Sequence, residues 1–150
     1  MIFDRTQNDV NEAIRLREEK IKVFEELTEA EVSILEKGMM TVNTLNRIEN
    51  KQSELKGAFN SIGYWNIETN NKQWDCTQIF DEVEFQRIVH NTDILRNAFF
   101  VYKNTPSTPR VSYYYSDINS LEKILYDLEE MMEYVKDNYL ECGTFECGEG

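Results

Sequence analysis

Apolar residues recur at Leu45, Ile48, Leu55, Phe59 and Ile62, with Gln52 the one polar residue on the stripe. These alternating steps of three and four keep one face of a helix turned toward a partner. The spacing predicts a helix from about Val42 to Ile62, ~30 Å long at ~1.5 Å per residue. Gly63 stands just past it, where a left-handed end costs least for the residue without a Cβ. A second seam, Ile118, Leu121, Leu125, Leu128, Met132, Val135 and Tyr139, predicts a long last helix capped by Ser116 or Asp117. Outside that seam fall Glu122, Asp127, Glu129, Glu130, Glu133 and Asp137, which read as a solvated acidic face.

Three shorter elements complete the pattern. Thr6 or Asp9 can cap a first helix carrying Val10, Ala13, Ile14, Ile21, Phe24 and Leu27, which is expected to reach Glu26 or Leu27. Thr28 to Glu31 has the form of a capping box, opening a short helix to about Lys37 that Gly38 breaks. Asp81 to Glu84 repeats that form before a helix with Phe85, Ile88, Val89, Thr92, Leu95 and Phe99 on one face, ending near Phe100. Between Tyr64 and Phe80 the helical period vanishes into an Asn-rich stretch flanked by Trp65 and Trp74, where a short hairpin is expected around Asn70 and Asn71. Pro106 and Pro109 mark a linker over 103–115. The expected fold is mainly α: a bundle of about five helices in one domain over residues 1–140, with an irregular or hairpin excursion near 65–80. An extended Gly/Cys tail follows over 141–150.

Composition narrows the partners. With 150 residues, 41% hydrophobic and 12% aromatic, the chain has enough apolar material for a single core. A net charge of −12 repels phosphate backbones and anionic headgroups, so neither nucleic acid nor membrane is expected as a partner. No apolar run approaches the ~18 residues of a membrane span, and charge begins at Asp4, so a secretory leader is not expected either. Residues 116–150 hold ten acidic and two basic side chains, whereas Arg5, Arg15, Arg17, Lys20 and Lys22 gather near the start. Such asymmetry can steer head-to-tail association.

Candidate chemistry is sparse. His90 is the only histidine and sits in a helical stretch, with no nucleophile motif and no glycine-rich phosphate loop elsewhere. No enzyme activity, cofactor or metal is expected. Cys76, Cys142 and Cys147 with His90 would all have to converge to hold zinc, and the C-x4-C step is wider than the usual knuckle. Cys142, Gly143, Phe145, Cys147 and Gly148 read instead as a segment that pairs with a neighbouring chain. Tyr113, Tyr114 and Tyr115, with Phe99, Phe100 and Tyr102 across the linker, form an aromatic group that packs on the bundle, serves as an interface or forms a carbohydrate-facing platform.

Several blocks together carry a resemblance. They are Asp4 to Val10 (Asp-Arg-Thr-Gln-x-Asp-Val) and the segment from Gly38 through Leu45, Asn46, Arg47, Ile48 and Glu49 to Gly63 and Tyr64. Trp74 follows, then the helix Phe85 to Leu95, the Thr-Pro-x-x-Pro of Thr105 to Pro109, and Asn119 to Leu125 with Glu122 inside it. In this order they resemble a domain of minor structural proteins from tailed phages and prophages of Gram-positive bacteria. The family ends in a Gly-Glu repeat with serine before glycine; this chain has cysteine there, and Thr144 after Gly143. The resemblance implies a non-enzymatic tail or baseplate component, made in the bacterial cytoplasm and located in the virion. It implies contacts with other tail proteins and with further copies of itself. A cytoplasmic assembly chaperone or adaptor that leaves before completion is the alternative.

Overall fold

The structure is a computed structural model that describes residues 1–21, 25–63, 67–110 and 114–142, with side chains to 138. It is mainly helical: α1 (Gln7–Glu19), α2 (Glu29–Gly38), α3 (Val42–Ser61), α4 (Glu82–Ala98) and α5 (Tyr115–Cys142), with no strand among the described residues.

The starts of the first four helices follow from their caps. Thr6 accepts from the Asp9 backbone and Thr28 from the Glu31 backbone, and each acid reaches back to its cap residue. Thr41 opens α3 and Asp81 opens α4 through single side-chain acceptors. The second half of the expected box at Asp81 is replaced by tertiary pairing, because the Glu84 carboxylate is taken by Lys72 and Arg87. The expected cap of α5 shifts as well. The helix starts at Tyr115, so Asp117 lies in the first turn, where its carboxylate accepts from the Tyr114 backbone N–H at 3.3 Å.

α1 is shorter than its apolar pattern suggests, closing at Lys20 instead of Glu26 or Leu27. Ala13 is its one buried residue, so beyond the first turns it has no core to follow; Lys20 meets Glu31 of α2 at 2.6 Å as the chain turns back. Phe24 lies outside the described residues. α2 stops at Gly38, one residue past the expected Lys37, and the glycine stands there for a packing reason. A Cβ there would stand 2.2 Å from the Asp9 carbonyl oxygen and 2.4 Å from the Ala13 Cβ. α1 and α2 thus cross too closely for any side chain at that point.

α3, α4 and α5 form the bundle, and the order of their contacts shows that all three run the same way. Along α3 and α5, Arg47 pairs with Glu122 and Lys51 with Glu129. Along α3 and α4, Glu49 pairs with Arg87, Gln52 with Thr92, and Phe59 stacks on Phe99 at 5.3 Å. Leu45, Ile48, Leu55 and Phe59 of α3 meet Phe85, Ile88 and Leu95 of α4 and Leu121, Ile124, Leu125 and Leu128 of α5 in one core. The seams of α3 and α5 therefore pair within one chain. Gly63 has φ 93°, the left-handed end expected for α3.

Parallel neighbours need return connections as long as the helices. At ~3.3 Å per extended residue, 67–80 can span the ~30 Å of α3. That segment runs back along α3, Asn71 reaching Gln52 and Trp74 reaching Asn46. The second return runs down α4: the Pro106 carbonyl accepts from Arg96 and Thr108 donates to Asp93. The hairpin expected at Asn70 and Asn71 does not form, because the backbone groups it would pair are bound to helix side chains. The proline segment 103–110 is likewise strapped down, with Thr105 buried and its hydroxyl on Asp127 at 2.6 Å; Val111, Ser112 and Tyr113 lie outside the described residues.

Candidate functional site

Three asparagines, one on each bundle helix, hold the extended segments by the same device. A primary amide offers one acceptor and two donors, so it can bond both backbone groups of a single residue. Asn46 accepts from the Trp74 N–H at 2.7 Å and donates to its carbonyl at 3.0 Å. Asn91 does the same to Asn70 at 3.1 and 2.9 Å, and Asn119 to Arg5 at 3.2 and 2.9 Å. Chain segments that find no sheet partner are thereby satisfied from helix side chains.

Two of these asparagines are followed, one turn later, by a buried glutamate. Glu49 is 1% exposed; it accepts from the Trp74 indole at 3.1 Å and the Lys72 backbone at 3.2 Å, and pairs with Arg87. Glu122 is fully buried; it accepts from the Ile2 backbone at 3.2 Å, from Arg5 at 2.6 Å and from Arg47 at 2.7 Å. Asp127, 1% exposed, takes Lys123 at 2.5 Å beside the Thr105 hydroxyl. Glu122 and Asp127 are thus not part of a solvated acidic face: burial is compensated by cations and donors from other segments. Gln52, the apparent gap in the α3 seam, donates to the Ile88 carbonyl and the Thr92 hydroxyl, both at 2.8 Å, and accepts from Asn71 at 2.9 Å.

The Glu122 cluster differs from the others in its charge balance. Two guanidiniums meet one carboxylate, and the Nη2 atoms of Arg5 and Arg47 are buried without an acceptor. Beside it opens a cavity of about 360 Å³ at the starting end of α3, α4 and α5. Met39, Met40, Phe80 and Ile118 wall it, Tyr114 and Tyr115 line it near the α5 start, and among the described residues of its lining Arg5 is the one cation. Tyr114 is 70% exposed, so of the expected tyrosine group one described member faces solvent and the next is half-buried. Phe99 and Phe100 lie past the far end of α4, with Phe99 on Phe59, so the aromatic residues on the two sides of the linker do not form one platform.

A second, open cleft holds His90, Asp93, Thr108 and Arg110, the histidine on an exposed face of α4. Among the described residues no three potential metal ligands come together. Cys76 is exposed, the side chain of Cys142 lies outside the described residues, and so do Gly143, Phe145, Cys147 and Gly148. Tyr64 and Trp65 also fall there. Of the residues that carry the resemblance, Leu45 and Ile48 are core, Gly38 and Gly63 answer backbone requirements, and Asn46, Arg47, Glu49, Trp74, Asn119 and Glu122 make up the clamps. Sequence pattern gives no signal for Arg87 or Asn91, and it reads Arg5 only as one of the basic residues near the start and as part of the Asp4–Val10 block. The Asn-x-x-Glu spacing shared by Asn46–Glu49 and Asn119–Glu122 accompanies two of the clamps, but it recurs at Asn138–Glu141, where Asn138 is exposed, so spacing alone does not mark them. Comparison with family models, with curated proteins and with solved structures finds no match to this chain.

Proposed function

We propose that the chain is a non-enzymatic structural subunit of a phage or prophage tail or baseplate, acting through helix packing and contacts between subunits. What supports this is the use to which the resembling residues are put. Asn46, Glu49, Trp74, Asn119 and Glu122 spend their polar groups on each other and on the backbone of the straps. A signature made of such residues encodes a shape, and shape is what subunits of one kind of assembly have in common. Large apolar side chains also remain available at the surface, among them Ile79 just before α4, Val83 in its first turn and Phe100 past its end. Partners in this proposal are other tail or baseplate proteins and further copies of the chain, in the virion.

The test is the copy number of this polypeptide in purified particles from an induced culture, by quantitative mass spectrometry. A reproducible count in multiples of three or six is the expected result. Abundance in the lysate with absence from particles overturns it and favours an assembly chaperone or adaptor that is not retained.

A further inference from the structure

We propose that the cavity at the Arg5 end is the docking site for residues 141–150 of a second copy, with Phe145 as anchor and Glu146 as its anionic neighbour. The proposal rests on the subunit reading above for its setting and on the cavity for its chemistry. The walls are apolar and methionine-rich, suited to an aromatic side chain because thioethers repack at low cost. The adjoining buried cluster carries two cations against one carboxylate, with two guanidinium nitrogens lacking acceptors. Asp9, Asp81 and Asp117 already sit in the caps or first turns of α1, α4 and α5, so the unbalanced positive charge is that of the arginines. An occupant with one large apolar group and a carboxylate beside it fits this combination.

Residues 141–150 have that composition: three glutamates, no lysine or arginine, and Phe145 as their one large apolar side chain, with Glu146 next to it. Reach decides which copy supplies the segment. The cavity lies where α5 begins and the segment leaves where α5 ends, ~40 Å away for a helix from Tyr115 to Cys142. Phe145 is three residues past Cys142 and reaches at most ~11 Å. A chain therefore cannot fill its own cavity, and the contact is head-to-tail, the kind that closes into a ring when the rotation allows.

The experiment is sedimentation of the full-length chain and two variants, Phe145→Ala with an inactive tail and Met40→Glu with a carboxylate in the cavity wall. Expected are concentration-dependent association of the parent chain, at least about tenfold weaker association of each variant, and 1:1 pairs on mixing the two. A fluorescent peptide of residues 141–150 should bind full-length Phe145→Ala, bind less well as Glu146→Gln, and cross-link to Met39 or Met40 when position 145 carries benzoylphenylalanine. If Met40→Glu fails to fold by circular dichroism, the peptide measurement decides alone. A parent chain that stays monomeric, a Phe145→Ala variant that associates like the parent, or a peptide that does not bind overturns the proposal. Any of these with the polypeptide counted in particles leaves the subunit reading standing; head-to-tail pairing with absence from particles does the reverse.

Discussion

Glu122 has no water-exposed surface, yet it is held by two segments distant in sequence, the N-terminal one through Ile2 and Arg5 and α3 through Arg47. A buried pair of this kind adds little over an apolar substitute, but breaking one side leaves an uncompensated charge. Glu122→Gln keeps the shape and removes the charge from between two guanidiniums. The expected loss is about 3 to 5 kcal/mol, read as a fall in the urea midpoint at unchanged slope. A variant within 1 kcal/mol of the parent would show that the arginines rest on solvent and not on this carboxylate. The role of Glu122 was hidden in sequence because helical spacing assigns it to the flank of the seam, and spacing cannot tell that an N-terminal segment lies over that flank. Asn119, one turn earlier, carried a clue: asparagine is a poor helix former, so a helical one is a candidate for a tertiary task.

Elements were legible wherever a local signal ended them. The cap at Thr6, the box at Thr28 and Gly63 each fix a helix boundary through local geometry, whereas the Thr41 cap of α3 carries no such reading in the sequence. α1 was overextended because its apolar spacing continues after its packing stops. The α1–α2 pair also shows how one glycine serves packing where another is spare. Gly38→Ala should force the two helices apart, since its Cβ would fall 2.2 Å from a backbone oxygen, whereas Gly57→Ala in α3 meets nothing within 4 Å. We expect Gly57→Ala to raise stability by ~0.5–1 kcal/mol and Gly38→Ala to lower it, both by thermal unfolding. A neutral Gly38→Ala would contradict the close crossing. The same pair is pH-sensitive. The Lys20 ammonium, the Thr28 backbone N–H and the Thr28 hydroxyl hold the Glu31 carboxyl down to about 2 from an ordinary 4.5. A depressed folded value stabilises above ~4.5, and that contribution fades as pH falls toward 2. Carboxyl carbon shifts in an NMR titration should place the Glu31 midpoint near 2 and Lys20→Met should raise it; a parent midpoint near 4.5 would refute the pairing.

At the scale of the molecule, what periodicity supplied was three amphipathic helices, and what it left open was their direction. Apolar stripes say that a helix has a partner without saying which chain supplies it or which way it runs. The parallel arrangement is set instead by the segments 67–80 and 99–110, whose composition reads as loop. Their length suits a full return; their polar backbone is met by Asn46, Glu49, Asn91 and Arg96, and Asp127 and Asp93 accept from the Thr105 and Thr108 hydroxyls. Irregular chain of this kind is therefore a bundle component, and its amides should exchange with solvent through opening of the bundle, not by local fraying. Hydrogen exchange gives the test. The N–H groups of Asn70, Lys72 and Trp74 donate to buried or half-buried side chains and are expected to be protected to a degree comparable with the middle of α3. Asn46→Ala removes the acceptor at Trp74 while leaving that of Asn70 on Asn91, so protection should fall first at Trp74. Uniform rapid exchange across 67–80 in the parent chain would mean that the straps are not held, and the parallel bundle would then lack the return paths that define it.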